Sequence, residues 1–397
     1  MRRIALSASL LALLFLSGCS FKKVGDFFLE PARAPQPVAL KQIDNRLNAT
    51  MNWTQYYAPL NGADAEGLGV AESDRYVFLG MPNGLVTAFY RSDKPSWDDQ
   101  VAWQVKLPSP VLSGPVLAND RLYVGTASGK LVAMDPVDGH VRWQKQLSSS
   151  VDADMVVAGD WLLVRTLDSK LYAIRLGDGD IVWQVEHEAP ALALQGEPAV
   201  TVAGSRLFVA WENGLVEGLA LENGVGLWQQ RIATPKGRTD LERMVDIQAR
   251  PHLYAGRLFV GGFHGKLAAL DPATGQLYWV KDFSTYRDMA LVAGKLIAVD
   301  DDDVLHAFDL ITGTPVWQNS ELKYRELTDL AVWHDKVVFG DEKGLLHVVD
   351  PTTGSLVGRY SHHSAPVVKV LPLGDDVYVI DGEGYLSQYR FQLTTHE

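Results

Sequence analysis

Hydrophobic residues along this chain come in short runs closed by a turn residue, and the runs recur at a near-constant interval. They occupy residues 75–80, 121–126, 161–166, 206–211, 257–262, 295–300, 336–341 and 376–381, are rich in Val, Leu, Tyr and Phe, and are flanked by Gly, Asp, Asn or Ser. Such side chains suit a pleated, half-buried surface, and the flanking residues are those that enter tight turns. A helical apolar period is almost absent. After each run a turn residue opens a second β-rich segment. These residues are Gly84, Gly129, Ser169, Gly214, Gly265, Asp303, Gly344 and Gly384, spaced by 45, 40, 45, 51, 38, 41 and 40 residues. A period near 40 residues holding about four short strands predicts propeller blades. The expected fold is all-β: one ring of eight four-stranded antiparallel blades.

The clearest copies run from Gly129 to Trp143 and from Gly265 to Trp279, matching at Gly, Leu, Ala, Asp-Pro, Gly and Trp. Trp143, Trp183, Trp228, Trp279 and Trp317 each stand four residues after a turn glycine. A Trp at one fixed place per unit is expected to dock on the neighbouring blade, burying ~150–250 Å² of ring. The first unit reaches Trp103 only after an insertion, the seventh has Gly358 at the Trp position, and the last ends before its own. A propeller must close or leave an open edge. The N-terminal stretch 51–57 carries Trp53, so it is expected to complete the blade begun by Tyr385 to Gln392.

Composition changes this picture little, with 21% charged and 47% hydrophobic residues as in ordinary globular domains. The net charge of -12 and the lack of a basic stripe exclude a nucleic-acid binder. The N-terminus adds a second layer. Arg2 and Arg3 precede an apolar stretch from Ile4 to Phe15, too short to span a bilayer comfortably, followed by Leu16-Ser17-Gly18-Cys19. This resembles a bacterial lipobox, which implies that Cys19, the one cysteine of the chain, is acylated. Ser20 follows it rather than the Asp of an inner-membrane retention signal, which points to the outer membrane, facing the periplasm. The expected organisation is a signal peptide at 1–18, a lipidated tether at 19–46 with Pro31, Pro35 and Pro37, and the propeller at 47–397.

Catalytic motifs are not found. Gly125 to Lys130 and Gly261 to Lys266 look faintly like phosphate loops but have one residue too few between glycines and Leu in place of Ser or Thr. His306 and His347 share a register, but Val132, Tyr172, Glu217, Ala268 and Ser387 hold the equivalent places, so no metal ring is expected. The run Asp300 to Asp303 lacks the spacing of a calcium loop and reads as a solvated turn. The neighbours His362 and His363 are expected to diverge. No metal or cofactor is expected.

The repeat Ala269-x-Asp271-x-x-Thr274-Gly275-x-x-x-Trp279 resembles the docking motif of quinoprotein dehydrogenases, which hold pyrroloquinoline quinone and calcium on the propeller axis. The chain lacks the adjacent cysteines frequent in those enzymes. Lipobox, tether and eight-bladed ring together resemble the BamB family, the lipoprotein component of the outer-membrane β-barrel assembly machinery. Two segments outside the repeat sharpen the resemblance: 191–198, with Leu192, Leu194 and Gln195, and 240–251, with Glu242, Arg243, Asp246 and Gln248. The second lies in the longest interval, where Thr239 to Glu242 forms a capping-box pattern. The resemblance implies a non-enzymatic scaffold whose two segments bind the periplasmic POTRA domains of BamA. Unfolded outer-membrane protein clients are a further implied partner. Gln195 and Gln248 depart from the expected Arg and Asp. Two alternatives stay open: a quinoprotein dehydrogenase, and a glycan-binding propeller using an aromatic cluster from Trp97, Trp161, Trp211 and Trp333.

Overall fold

A computed structural model describes residues 35–56, 67–91, 101–188, 200–233, 247 and 249–393. Every regular element among them is a β-strand, and the strands form eight sheets. Blade 1 spans 70–106, blade 2 111–146, blade 3 156–186, blade 4 201–231, blade 5 252–282, blade 6 290–319 and blade 7 331–361. Blade 8 joins 367–393 to the N-terminal strand Leu47–Tyr56. Within each blade, strands A to D run antiparallel outward from the axis. The apolar runs form the B strands, among them Arg121–Thr126, Trp161–Thr166 and Asp376–Asp381. The D strands alternate exposed and half-buried positions, as outermost strands should. Blade 2 departs from four strands: Gly67–Leu68 adds in parallel to its A strand, with Gly67 opposite Ser113.

The B–C hairpins turn on a residue in the left-handed region. Gly84, Gly129, Gly214, Gly344 and Gly384 supply it, but Ser169 (φ 57°) and Asp303 (φ 61°) do so as well. In blade 5 the position moves back by one, to His264 (φ 48°) rather than Gly265. The two phosphate-loop look-alikes are therefore hairpin turns. Asp303 is not solvated. It is 6% exposed, and its carboxylate accepts the N–H groups of Glu326 (2.7 Å) and Leu327 (3.0 Å).

Neighbouring blades lock through one repeated contact. In blades 1 to 6 the D-strand tryptophan lays its ring on the C–D turn glycine of the next blade: Trp103 on Gly139, Trp143 on Gly179, Trp183 on Gly224, Trp228 on Gly275, Trp279 on Gly313 and Trp317 on Gly354. A Cβ at Gly313 would stand 2.6 Å from Trp279 Cδ2, so nothing larger fits, and its φ of 67° favours glycine independently. Each indole N–H donates to a carbonyl of that neighbour, as Trp183 to Leu221 (2.9 Å) and Trp317 to Pro351 (2.9 Å). Across the C–D pair the Trp faces a small residue: Ala88, Ala133, Ala173, Gly218, Ala269 or Ala307. This explains why the repeat carries both Ala and Trp.

The ring closes where Leu47–Tyr56 pairs with Tyr385–Leu393, from Leu47 opposite Leu393 to Tyr56 opposite Tyr385. Trp53 is 8% exposed and packs among Tyr76, Phe78 and Phe89 of blade 1, with Tyr378 of blade 8 at 5.8 Å. Residues 38–46 also lie along the propeller. Val38 N–H donates to Lys323 O (3.0 Å), Arg46 N–H to Val357 O (2.8 Å), and Leu40 and Ile43 cover the core between blades 6 and 7.

Candidate functional site

Cys19 and all seven residues expected to bind a partner, Leu192, Leu194, Gln195, Glu242, Arg243, Asp246 and Gln248, lie outside the described residues. Their roots are described. Segment 189–199 joins strand D of blade 3, Ile181–Glu186, to strand A of blade 4, Thr201–Ala203. Segment 234–246 joins strand D of blade 4, Gly226–Arg231, toward strand A of blade 5, His252–Tyr254. In an antiparallel four-stranded blade, strand D ends on the face where the next strand A begins, and the B–C hairpin turns on that face too. Both segments are thus rooted side by side on this connector face. The roots are pinned: Val200, Ile232, Ala233, Ile247 and Ala249 are buried, and Thr201 Oγ1 donates to Pro251 O.

Beneath the roots lies a polar and aromatic network that sequence reasoning missed. Arg165, on the blade 3 hairpin, pairs with Glu212 on the blade 4 hairpin, both side chains at most 3% exposed. Arg165 also donates to Ala210 O (2.9 Å), and Ser169 to the second Glu212 oxygen (2.8 Å). The Arg165 guanidinium lies 4.9 Å over the Trp211 ring. Trp211 Nε1 donates to Glu217 (3.0 Å), which also meets His187 at 2.9 Å. A buried ion pair costs desolvation, and its geometry is fixed only because further hydrogen bonds complete it. The result is a rigid floor shared by blades 3 and 4. Trp211 and Trp333, 0% and 8% exposed, are structural, and Trp161 begins its B strand at the opposite face. The exposed aromatic cluster required by a glycan site is therefore not formed by these three residues.

The axis is crossed by ion pairs. Asp154, entering blade 3, meets Arg250 of blade 5 (3.4 Å) and Lys369 of blade 8 (3.6 Å), contacts that non-adjacent blades make only across the ring. Asp288 takes His252 (2.7 Å) and Arg250 (3.8 Å). Burial raises the Asp288 pKa, but His252 and Arg250 outweigh it and hold the carboxyl below its ordinary value. Nearby Asp152 has only neighbours that leave burial dominant, and its pKa is pushed up to about 6. Asp154 and Asp288 are thus paired with cationic side chains, while Asp152 and the neighbouring Asp329, which burial and Asp288 raise, are not neutralised in this way.

Histidines accompany the connector-face hairpins. His306 meets Asp300 at 2.8 Å and His347 meets Asp341 at 3.0 Å, each an intrablade pair. His362 and His363 do not diverge. Both converge on Asp381, because they follow the end of the strand Leu356–Ser361 and so escape the alternation of side chains that holds inside a strand.

The described residues thus form a closed eight-bladed propeller whose axis is bridged by salt bridges and whose connectors from blades 3 and 4 are rooted on one polar floor. Residues 82–319 match the sequence profile of a family described as outer membrane protein assembly factor BamB. The chain is 38% identical over 373 residues to that assembly factor from Legionella pneumophila (strain Paris), covering 94% of this chain and 95% of the relative. It is 32% identical over 362 residues to the factor from Escherichia coli (strain K12), covering 90% and 91%. The crystal structure of BamB from Moraxella catarrhalis superimposes with a TM-score of 0.77 at 22% identity, covering 86% of this chain and 100% of that one. The chain belongs to the BamB family of outer membrane protein assembly factors, and it is not an enzyme.

Proposed function

We propose that this chain is the lipid-anchored, periplasm-facing scaffold subunit of the β-barrel assembly complex, and that it grips the POTRA domains of BamA through segments 191–198 and 240–251. The observation that supports this is the placement of the two roots. The segments singled out by family resemblance leave consecutive blades on one face, above the Arg165–Glu212 floor. A rigid platform lowers the ordering cost of docking, so a modest contact suffices. Leu192 and Leu194 serve as apolar anchors, while Glu242, Arg243 and Asp246 set register by charge. Gln195 and Gln248 replace charge with neutral amides, so recognition here leans on those three and on the leucines. Cys19 carries the lipid, and Ser20 directs the protein to the outer membrane. The D strands offer exposed edges to which extended client strands pair transiently.

The test is a pull-down of the mature lipid-free chain against solubilised outer membranes, beside a Leu192→Glu, Leu194→Glu double variant of unchanged circular dichroism. BamA recovery with the parent and loss of at least tenfold with the variant is the expected outcome. Equal recovery by both would move the site, and recovery by neither would overturn the reading.

A further inference from the structure

The group His362, His363 and Asp381 offers three ligand atoms within 4.8 Å of one another, and among the described residues it is the single group of three such side chains so placed. In blades 6 and 7 the equivalent aspartates, Asp300 and Asp341, each meet one imidazole from their own C strand. In blade 8 Ser387 stands at that position, and Asp381 instead receives two imidazoles from the blade 7 to blade 8 connector. His363 Nδ1 lies 2.7 Å from Asp381 Oδ2. His362 Nε2 lies 3.2 Å from the same oxygen and is fully buried, and its approach to that oxygen is too poorly aligned to satisfy it as a hydrogen bond. Asp381 is thus its one near partner, and a buried imidazole nitrogen so poorly satisfied is costly unless something else engages it.

The surroundings have the form of a ligand site rather than a plain ion pair. His362 Nδ1 is bonded to Tyr389 Oη at 2.8 Å, which fixes the ring with Nε2 turned toward Asp381. Metal-bound histidines almost always carry such a partner on the other nitrogen. Asp381 Oδ1 accepts the Tyr385 N–H at 2.9 Å, leaving Oδ2 for the shared point. The His363 ring leans edge-on against Tyr385, and its side chain, 24% exposed, opens the group to solvent. We propose that His362 Nε2, His363 Nδ1 and Asp381 Oδ2 bind one divalent transition-metal ion, Zn²⁺ foremost, with a fourth position left to water. Two imidazoles and a carboxylate match the preferences of Zn²⁺ and not those of Mg²⁺ or Ca²⁺. A tetrahedral ion with bonds of ~2.0–2.1 Å wants donors about 3.3 Å apart. The Asp381–His362 separation of 3.2 Å nearly meets this, the Asp381–His363 separation of 2.7 Å is shorter, and all three atoms lie within 4.8 Å, so binding requires the partly exposed His363 ring to turn. The ion would tie the blade 7 connector to the blade 8 hairpin.

The mature chain, prepared without a histidine tag and stripped with chelator, is titrated with ZnCl₂ by calorimetry and with CoCl₂ by visible absorption. One equivalent of Zn²⁺, tetrahedral Co²⁺ bands and a raised melting temperature are expected. His363→Ala sits at the exposed edge and leaves the core intact. It should weaken binding at least 100-fold, Tyr389→Phe by 10- to 100-fold, and His306→Ala not at all. Absence of stoichiometric binding, or equal binding by parent and His363→Ala, would overturn the proposal.

Discussion

The six interfaces from blade 1 to blade 7 and the seam around blade 8 solve one packing problem in two ways. In the first six, a Trp ring covers a left-handed glycine and its N–H reaches a carbonyl next door. Between blades 7 and 8 that Trp is Gly358, and the residue facing it is Val348 rather than Ala, so bulk has moved across the strand pair. Trp333, from strand A of blade 7, donates instead to Asp375 O (3.1 Å). Tyr360 fills the space above Gly358, donates its hydroxyl to Leu47 O (2.5 Å), and packs on Phe391. The seam is thus built from tryptophan and tyrosine contacts that the other blades do not repeat among the described residues. The regular contact stops at blade 7, whose neighbour is the one blade assembled from both ends of the chain, with Leu47–Tyr56 as its outer strand.

The strongest way to break this comparison is to delete residues 1–56. The seam then loses the whole D strand of blade 8, and the cooperative thermal transition followed by circular dichroism should disappear. Next come Trp279→Ala and Trp333→Ala. If regular interface and seam are equivalent, each costs ~3–5 kcal/mol in urea unfolding, as for other buried Trp truncations. A markedly smaller value for Trp333 would show the seam to rest on the N-terminal strand alone.

A third probe uses pH. Asp152 sits in the regular half with a folded pKa raised to about 6 from 3.8. A raised carboxyl pKa means that the folded state binds the proton more tightly. The stability linked to this group is complete below pH 3.8 and is lost as pH rises through 6. Asp152→Asn should therefore be more stable than the parent at pH 7.5 by up to ~2 kcal/mol, and equal to it at pH 4, in denaturant midpoints at the two pH values. The smallest effect is expected from Tyr360→Phe, about 1 kcal/mol for one hydroxyl hydrogen bond at the seam.

The ring itself was legible because its signals are local: a run, a turn residue, a glycine and, four residues on, a tryptophan. Closure was legible from a missing Trp at one end and a surplus Trp53 at the other. Within blades the boundaries erred by a residue or two, as at 206–211 against Arg206–Ala210. What sequence did not reveal is non-local. Asp154, Arg250 and Lys369 are far apart in the chain and meet only because three blades face one axis. The Arg165–Glu212 floor needs two hairpins brought side by side. The convergence of His362 and His363 is of the same kind: neighbours in a connector were expected to diverge, and only the blade 8 hairpin, with Asp381, brings them to one point. Segments 191–198 and 240–251 stand out only as departures from the repeat, so the binding role proposed for them rests on resemblance.

The pairing of Leu47–Tyr56 with Tyr385–Leu393 also has a consequence in time. Synthesis runs from the N-terminus, so the outer strand of the last blade is made first and waits, unpaired, while seven blades take shape. The C-terminal strand, by contrast, is never without a partner: when it emerges, the strand that covers it already exists. The seven-blade stack is therefore open only until that strand arrives, and its closure waits for no further synthesis.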